Sequence, residues 1–156
     1  MLRDRSLIPL SRQHQHALAM CVLIRRALSS GKASLEKWRG EMREAFAEEI
    51  GVHFAAEEEV LFPEARNFPA LAPLVDDLLR DHAALRDCFR RAETGTLDTE
   101  GLADFVRLLD QHIRKEERQL FEQLQKLVPA NRLEELGRSM QKRLGSASGP
   151  ACKIND

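Results

Sequence analysis

The sequence predicts an all-α fold: an up-down-up-down antiparallel four-helix bundle with a short fifth C-terminal helix and a disordered tail. Three observations predict it. Apolar residues recur at intervals of three and four, and almost no segment alternates with a period of two. Pro, Gly and capping residues cut the chain into four long segments and one short one. The connections are short, which favours antiparallel neighbours. At 156 residues the chain suits one domain, placed at residues 1–144, with a flexible tail over 145–156.

Helix 1 is expected to begin after Pro9, with Ser11 as its candidate cap, and to end near Ser29-Ser30-Gly31. Helix 2 is expected from about Ser34 to about Phe62, where Pro63 stops it. Helix 3 starts between Pro69 and Pro73 and ends before Gly95. Helix 4 starts near Asp98-Thr99 and ends before Pro129. Asn131 is a candidate cap for a short helix to about Leu144, which covers one end of the bundle or mediates dimerisation. Gly51, mid-helix, costs about 1 kcal/mol relative to Ala. Two reasons for it are close packing against a neighbour and room beside His53.

Composition narrows the function. A formal charge of -1 provides no global field for nucleic acid or an acidic membrane. The start, Met1 to Arg5 followed by Pro9, lacks the apolar segment of a signal peptide, and no apolar run is long enough to span a bilayer. The expected location is cytoplasmic, as a monomer or homodimer with no nucleic-acid or membrane partner. Three cysteines without CxxC spacing fit reduced thiols, Cys21 and Cys88 on apolar stripes and Cys152 in the tail.

The chemistry lies in the histidines. Four of the five fall one per long helix on the apolar stripe: His14, His53, His82 and His112. Two of these stripes also carry a glutamate, in His53-Phe-Ala-Ala-Glu57 and His112-Ile-Arg-Lys-Glu116. Residues four apart share a helix face, so each pair converges on one point. A carboxylate in a core is costly unless it is paired or bound to a metal. Imidazoles with carboxylates suit iron, manganese or zinc. His16 is two residues from His14 and cannot share its face; His14 is preferred as the ligand, with His16 at the boundary as a surface group or a neighbour of the site, or completing one metal position if the helix rolls slightly. Glu58, Glu59 and Glu117 are expected on a solvated face, any of them able to hold a ligand imidazole. Phe54, Phe62, Phe105 and Phe121 are expected as core.

There is also an internal repeat. His53-xxx-Glu57-Glu58-xx-Leu61-Phe62 matches His112-xxx-Glu116-Glu117-xx-Leu120-Phe121, and Arg12-Gln13-His14 is similar to Arg80-Asp81-His82. Two facing hairpins would supply two equivalent half-sites.

On these motifs, with Leu10-Ser11-Arg12-Gln13-His14 and Leu61-Phe62-Pro63, the sequence resembles the hemerythrin-like, HHE cation-binding family over about residues 7–125. The resemblance implies a non-haem di-iron centre with two iron ions, zinc or manganese being possible substitutes. Glu57 and Glu116 would bridge the irons, and the four histidines would be terminal ligands. Two departures from the oxygen carriers stand out. Arg86 occupies the place of a second helix-3 histidine, and Glu116 stands four residues after His112, with Glu117 where the carriers have an aspartate. Both shift the expected role from reversible oxygen carriage toward a protein that binds, senses or reacts with a small diatomic or peroxide ligand. The alternatives are an iron-sulfur-centre repair or peroxide-decomposing enzyme, and an iron-binding regulatory module without catalysis. A helix 1 that begins near residue 10 lacks the cysteine-bearing N-terminal domain common in the repair proteins, which counts against the first.

Overall fold

The structure, a computed structural model of the chain, describes residues 1–145. They form five helices and no strand. Helix α1 is Ile8–Ser29. Helix α2 runs without a break over residues 35–66, helix α3 is Ala72–Glu93, and helix α4 runs over residues 99–127. Helix α5 is Ala130–Gly145. Of the expected tail, only Gly145 is described, as the end of α5; the rest, with Cys152, lies outside the described residues.

Helices α2 and α4 start where the sequence places them, and each start is capped by a side chain. Ser34 Oγ accepts the N–H of Lys37 at 3.3 Å, and Asp98 Oδ1 accepts that of Gly101 at 2.7 Å. Ser11 is no cap. A turn over Asp4–Leu7 starts α1 earlier, with Asp4 Oδ1 accepting the N–H of Ser6 at 2.8 Å, and Ser11 lies inside the helix. Asn131 likewise sits inside α5, which starts at Ala130.

Pro63 does not end α2, which continues to Arg66. The reason is a π turn at Glu57–Leu61, where the N–H of Phe62 bonds the carbonyl of Glu57, five residues back. The ladder is already shifted as it reaches Pro63, so a residue with no N–H is accommodated. The same turn recurs at Glu116–Leu120 in α4, and a third lies at Phe46–Ile50. Gly51 belongs to this third turn. An added Cβ would stand 3.0 Å from the carbonyl oxygen of Phe46 and 3.3 Å from its ring. The space is taken by its own helix, not by a neighbouring helix or by His53.

Helix α1 packs along α4, α4 along α3, and α3 along α2. The apolar side chains form two clusters. One holds Cys21, Ile24, Trp38, Met42, Leu85, Phe89, Leu102 and Phe105. The other holds Leu10, Leu61, Phe62, Val75, Leu78, Leu120 and Phe121, closed over by Leu133, Leu136 and Met140 of α5. Each fully buried Leu or Phe stabilises by about 1.5–3 kcal/mol. Helix α5 therefore covers one end of the structure. It approaches so closely that a Cβ on Gly137 would meet Ser6 Cβ at 2.7 Å.

No described helix is long and apolar enough to cross a membrane. Cys21 and Cys88 are buried free thiols, and burial pushes the Cys21 thiol up to about 11.

Candidate metal centre

The buried polar side chains lie between the two apolar clusters. His14, His53, Glu57, His82, His112 and Glu116 are all buried, contributed by α1, α2, α3 and α4. The HxxxE spacing puts each glutamate one turn beyond its histidine. His53 Nε2 lies 2.9 Å from Glu57 Oε1, and His112 Nε2 lies 3.1 Å from Glu116 Oε1. Both glutamates begin a π turn, so the sequence repeat is also a backbone repeat.

Each glutamate divides its two oxygens. Glu57 turns Oε1 to His53 and Oε2 to His82, the latter at 3.2 Å. Glu116 turns Oε1 to His112 and Oε2 to His14, the latter at 3.0 Å. The histidines are paired to match: Nε2 of His14 and His53 are 3.1 Å apart, and those of His82 and His112 are 3.2 Å apart. Two donor groups result, His14–His53–Glu57–Glu116 and Glu57–His82–His112–Glu116. Within each, the four donor atoms lie within 4.8 Å of one another.

The imidazoles are fixed from behind. Nδ1 of His14 donates to Glu117 Oε1 at 2.7 Å, and Nδ1 of His53 donates to Gln13 Oε1 at 2.7 Å. Nδ1 of His82 donates to Glu58 Oε2 at 3.3 Å, and Nδ1 of His112 donates to Asp81 Oδ2 at 3.2 Å. All four partners are acceptors, so Nδ1 carries the proton and Nε2 offers a lone pair inward. A lone pair donates nothing to a carboxylate. The four oxygens of Glu57 and Glu116 accordingly have no hydrogen-bond partner among the described residues. Inward lone pairs and orphaned buried carboxylates together call for cations.

Without a cation, the same field is met by protons on Nε2. Burial alone would lower the His14 pKa, but Glu116, Glu117 and Glu57 raise it to about 9. Burial opposes charge on His112 too, and Glu116 and Asp81 raise its pKa to about 10. Burial works against ionising Glu116, yet His112 and His14 hold it well below the usual carboxylate range. Glu57 is pushed up by burial and by Glu116, and is held low by His53 and His82.

Outside the centre, each supporting carboxylate has its own cation. Arg3 binds Glu117, which also accepts from Ser11 Oγ at 2.7 Å. Arg86 binds Glu58, and Lys115 binds Asp81. Phe54 stacks on His82 with ring centroids 3.9 Å apart, Phe62 lies against His82 and Phe121 against His14, whereas Phe105 packs on Phe89. A cavity of about 20 Å³ touches His14, His53 and His112 and is otherwise mostly apolar, with Ala17, Ile50 and Phe54 in its wall. That is room for one water-sized molecule, which needs about 10–15 Å³.

A family model for the Hemerythrin HHE cation binding domain matches residues 9–124. The chain belongs to the hemerythrin HHE family. No curated protein and no solved structure gives a significant match. In this hemerythrin-family chain all six residues singled out in the sequence converge. His16 does not join them; it is 68% exposed and pairs with Glu49 at 2.9 Å. Glu59 is on the surface, paired with Arg143. Gln13, Asp81, Arg3, Ser11 and Lys115 were not foreseen as supports. For the first two a signal existed: each stands one residue before a repeat histidine.

Proposed function

We propose that this hemerythrin-family protein is a non-haem di-iron protein that binds, senses or reacts with oxygen, nitric oxide or peroxide, built as an antiparallel up-down-up-down four-helix bundle. The observation that carries the proposal is the division of donors. Two glutamates each give one oxygen to each of two histidine pairs, so every donor set has two imidazoles and two carboxylate oxygens. Four oxygens without hydrogens suit two cations better than one. The donors suit iron, manganese or zinc, and membership of the family favours iron. An iron pair, when bound, supplies redox change and a place for a small molecule to coordinate. The chain's own part is to fix four imidazoles in one tautomer, to exclude bulk water with Phe54, Phe62 and Phe121, and to keep a small apolar cavity beside the histidines.

The order of residues along the helices supports the bundle topology. Helices α1 and α3 run from the cluster with Leu10 and Val75 to the one with Ile24 and Phe89; α2 and α4 run back. The buried free thiols fit a reducing, cytoplasmic setting.

Metal analysis of protein produced with iron, followed by optical spectra before and after oxygen, nitric oxide and hydrogen peroxide, tests the function. Two irons per chain and a spectral change with at least one of these ligands are expected. Fewer than two irons would remove the di-iron centre. Two irons with no response would remove the small-molecule role.

A further inference from the structure

The sequence repeat pairs His14 with His82 and His53 with His112. The supports follow it at two of the four positions. His14 and His82 each donate Nδ1 to the residue after a core glutamate, Glu117 and Glu58 respectively. His53 and His112 each donate to the residue before a histidine, and here the symmetry breaks. His112 faces the carboxylate of Asp81, whereas His53 faces the amide oxygen of Gln13.

The difference bears on the lone pair at Nε2. A carboxylate behind an imidazole draws its Nδ1 proton and makes the opposite nitrogen a stronger donor; an amide oxygen draws it less. The half-sites also differ in access. The cavity of about 20 Å³ borders both His14 and His53 but only His112 of the other pair, and Gln13, Ala17, Glu49 and Ile50 of its wall also line a surface groove between α1 and α2. His82 is covered by Phe54 and Phe62 and does not border that cavity.

We propose that Gln13 makes the His14–His53 position the weaker of the two metal positions, so that metal fills the His82–His112 position first and leaves it last. Gln13 acts as a positioning residue, through His53. The proposal rests on the two-metal reading given above.

The test is titration of the metal-free full chain with Zn²⁺ against a chromophoric chelator, compared across wild type, Gln13→Glu and Asp81→Asn, each checked for helical circular dichroism. Wild type should take up two metals in two steps at least about 10-fold apart, the range over which such supports act. Q13E should tighten the weaker step by about 10-fold and leave the stronger one in place. D81N should weaken the stronger step by about 10-fold or more and merge the two. The opposite signs distinguish tuning of the ligands from general damage to the fold. Two metals bound in a single wild-type step would overturn the inference while leaving the two-metal centre intact. So would Q13E or D81N with unchanged steps. Fewer than two metals in wild type would overturn the two-metal reading, and the inference with it.

Discussion

Arg86 holds both oxygens of Glu58, with Nη1 2.7 Å from Oε1 and Nη2 2.8 Å from Oε2. Glu58 in turn accepts the Nδ1 proton of His82. The guanidinium also lies 5.4 Å from the centre of the Phe54 ring, which stacks on His82. Arg86 is thus engaged behind the centre, orienting a ligand candidate. The half-exposed pair itself adds only about 0–1 kcal/mol to stability. Arg86→Ala should leave the melting temperature of the metal-free protein nearly unchanged and weaken metal binding by about 10-fold in chelator competition. Unaltered affinity would mean that His82 needs no such clamp.

The shared glutamates and the unshared histidines should respond differently to substitution. Each glutamate serves both donor sets, and each histidine serves one. Glu116→Gln or Glu57→Gln replaces a carboxylate by an amide in both sets and should leave less than one metal per chain. His53→Ala spoils only one set and should retain about one metal by elemental analysis; loss of half the metal in all three variants alike would contradict bridging by the glutamates.

The metal-free protein should lose stability as pH rises above neutral. His14 and His112 have pKa values raised from 6.5 to about 9 and about 10. A group whose pKa is raised on folding stabilises while protonated. Its contribution is complete below 6.5 and is lost progressively as pH rises through the folded value. The carboxylates do not interfere, since Glu57 and Glu116 are held low and titrate in acid. Cys21, pushed up to about 11, adds a loss of the same sign where unfolded thiols ionise. Melting curves of chelated protein between about pH 6.5 and 7.5, below the range in which unfolded thiols ionise, therefore isolate the histidines. A falling melting temperature is expected, and metal should abolish the fall by replacing the protons on Nε2. A flat profile in chelator would mean that no protons are held there.

What was legible in the sequence was local or periodic. The helix starts at Ser34 and Asp98 are legible because each side chain meets an N–H three residues away, and the HxxxE pairs meet because one helix turn brings them together. What was not legible depended on distant groups. Ser11 has the composition of a cap, but its hydroxyl donates to Glu117, 106 residues on, and the turn at Asp4 starts the helix before it. Pro63 carries a stop signal that the π turn at Glu57 overrides, and a π turn has no simple residue signature. Gln13 and Asp81 were visible as members of the repeat. Their task depends on which imidazole the neighbouring helix presents, which only the packing fixes.

The close approach of α5 was also invisible to periodicity. Gly137 lies on its buried face with Leu133, Leu136 and Met140, where any apolar residue would satisfy the helical pattern. The contact forbids it. A Cβ at this position would stand 2.7 Å from Ser6 Cβ and 3.0 Å from Ser6 Cα. The second of these is backbone, held by the turn that Asp4 closes, so it cannot swing aside as a long side chain would. Gly137→Ala gains up to about 1 kcal/mol in helix propensity and incurs an overpacking cost of about 1–3 kcal/mol. The net expectation is a lower melting temperature with the metal content unchanged, because the metal centre lies on the other side of the apolar cluster that α5 covers. Ser6→Gly in the same chain removes the Cβ but not the Cα, and should restore part of the loss. A stabilised Gly137→Ala variant would show that α5 sits further from the N-terminal turn than 2.7 Å implies.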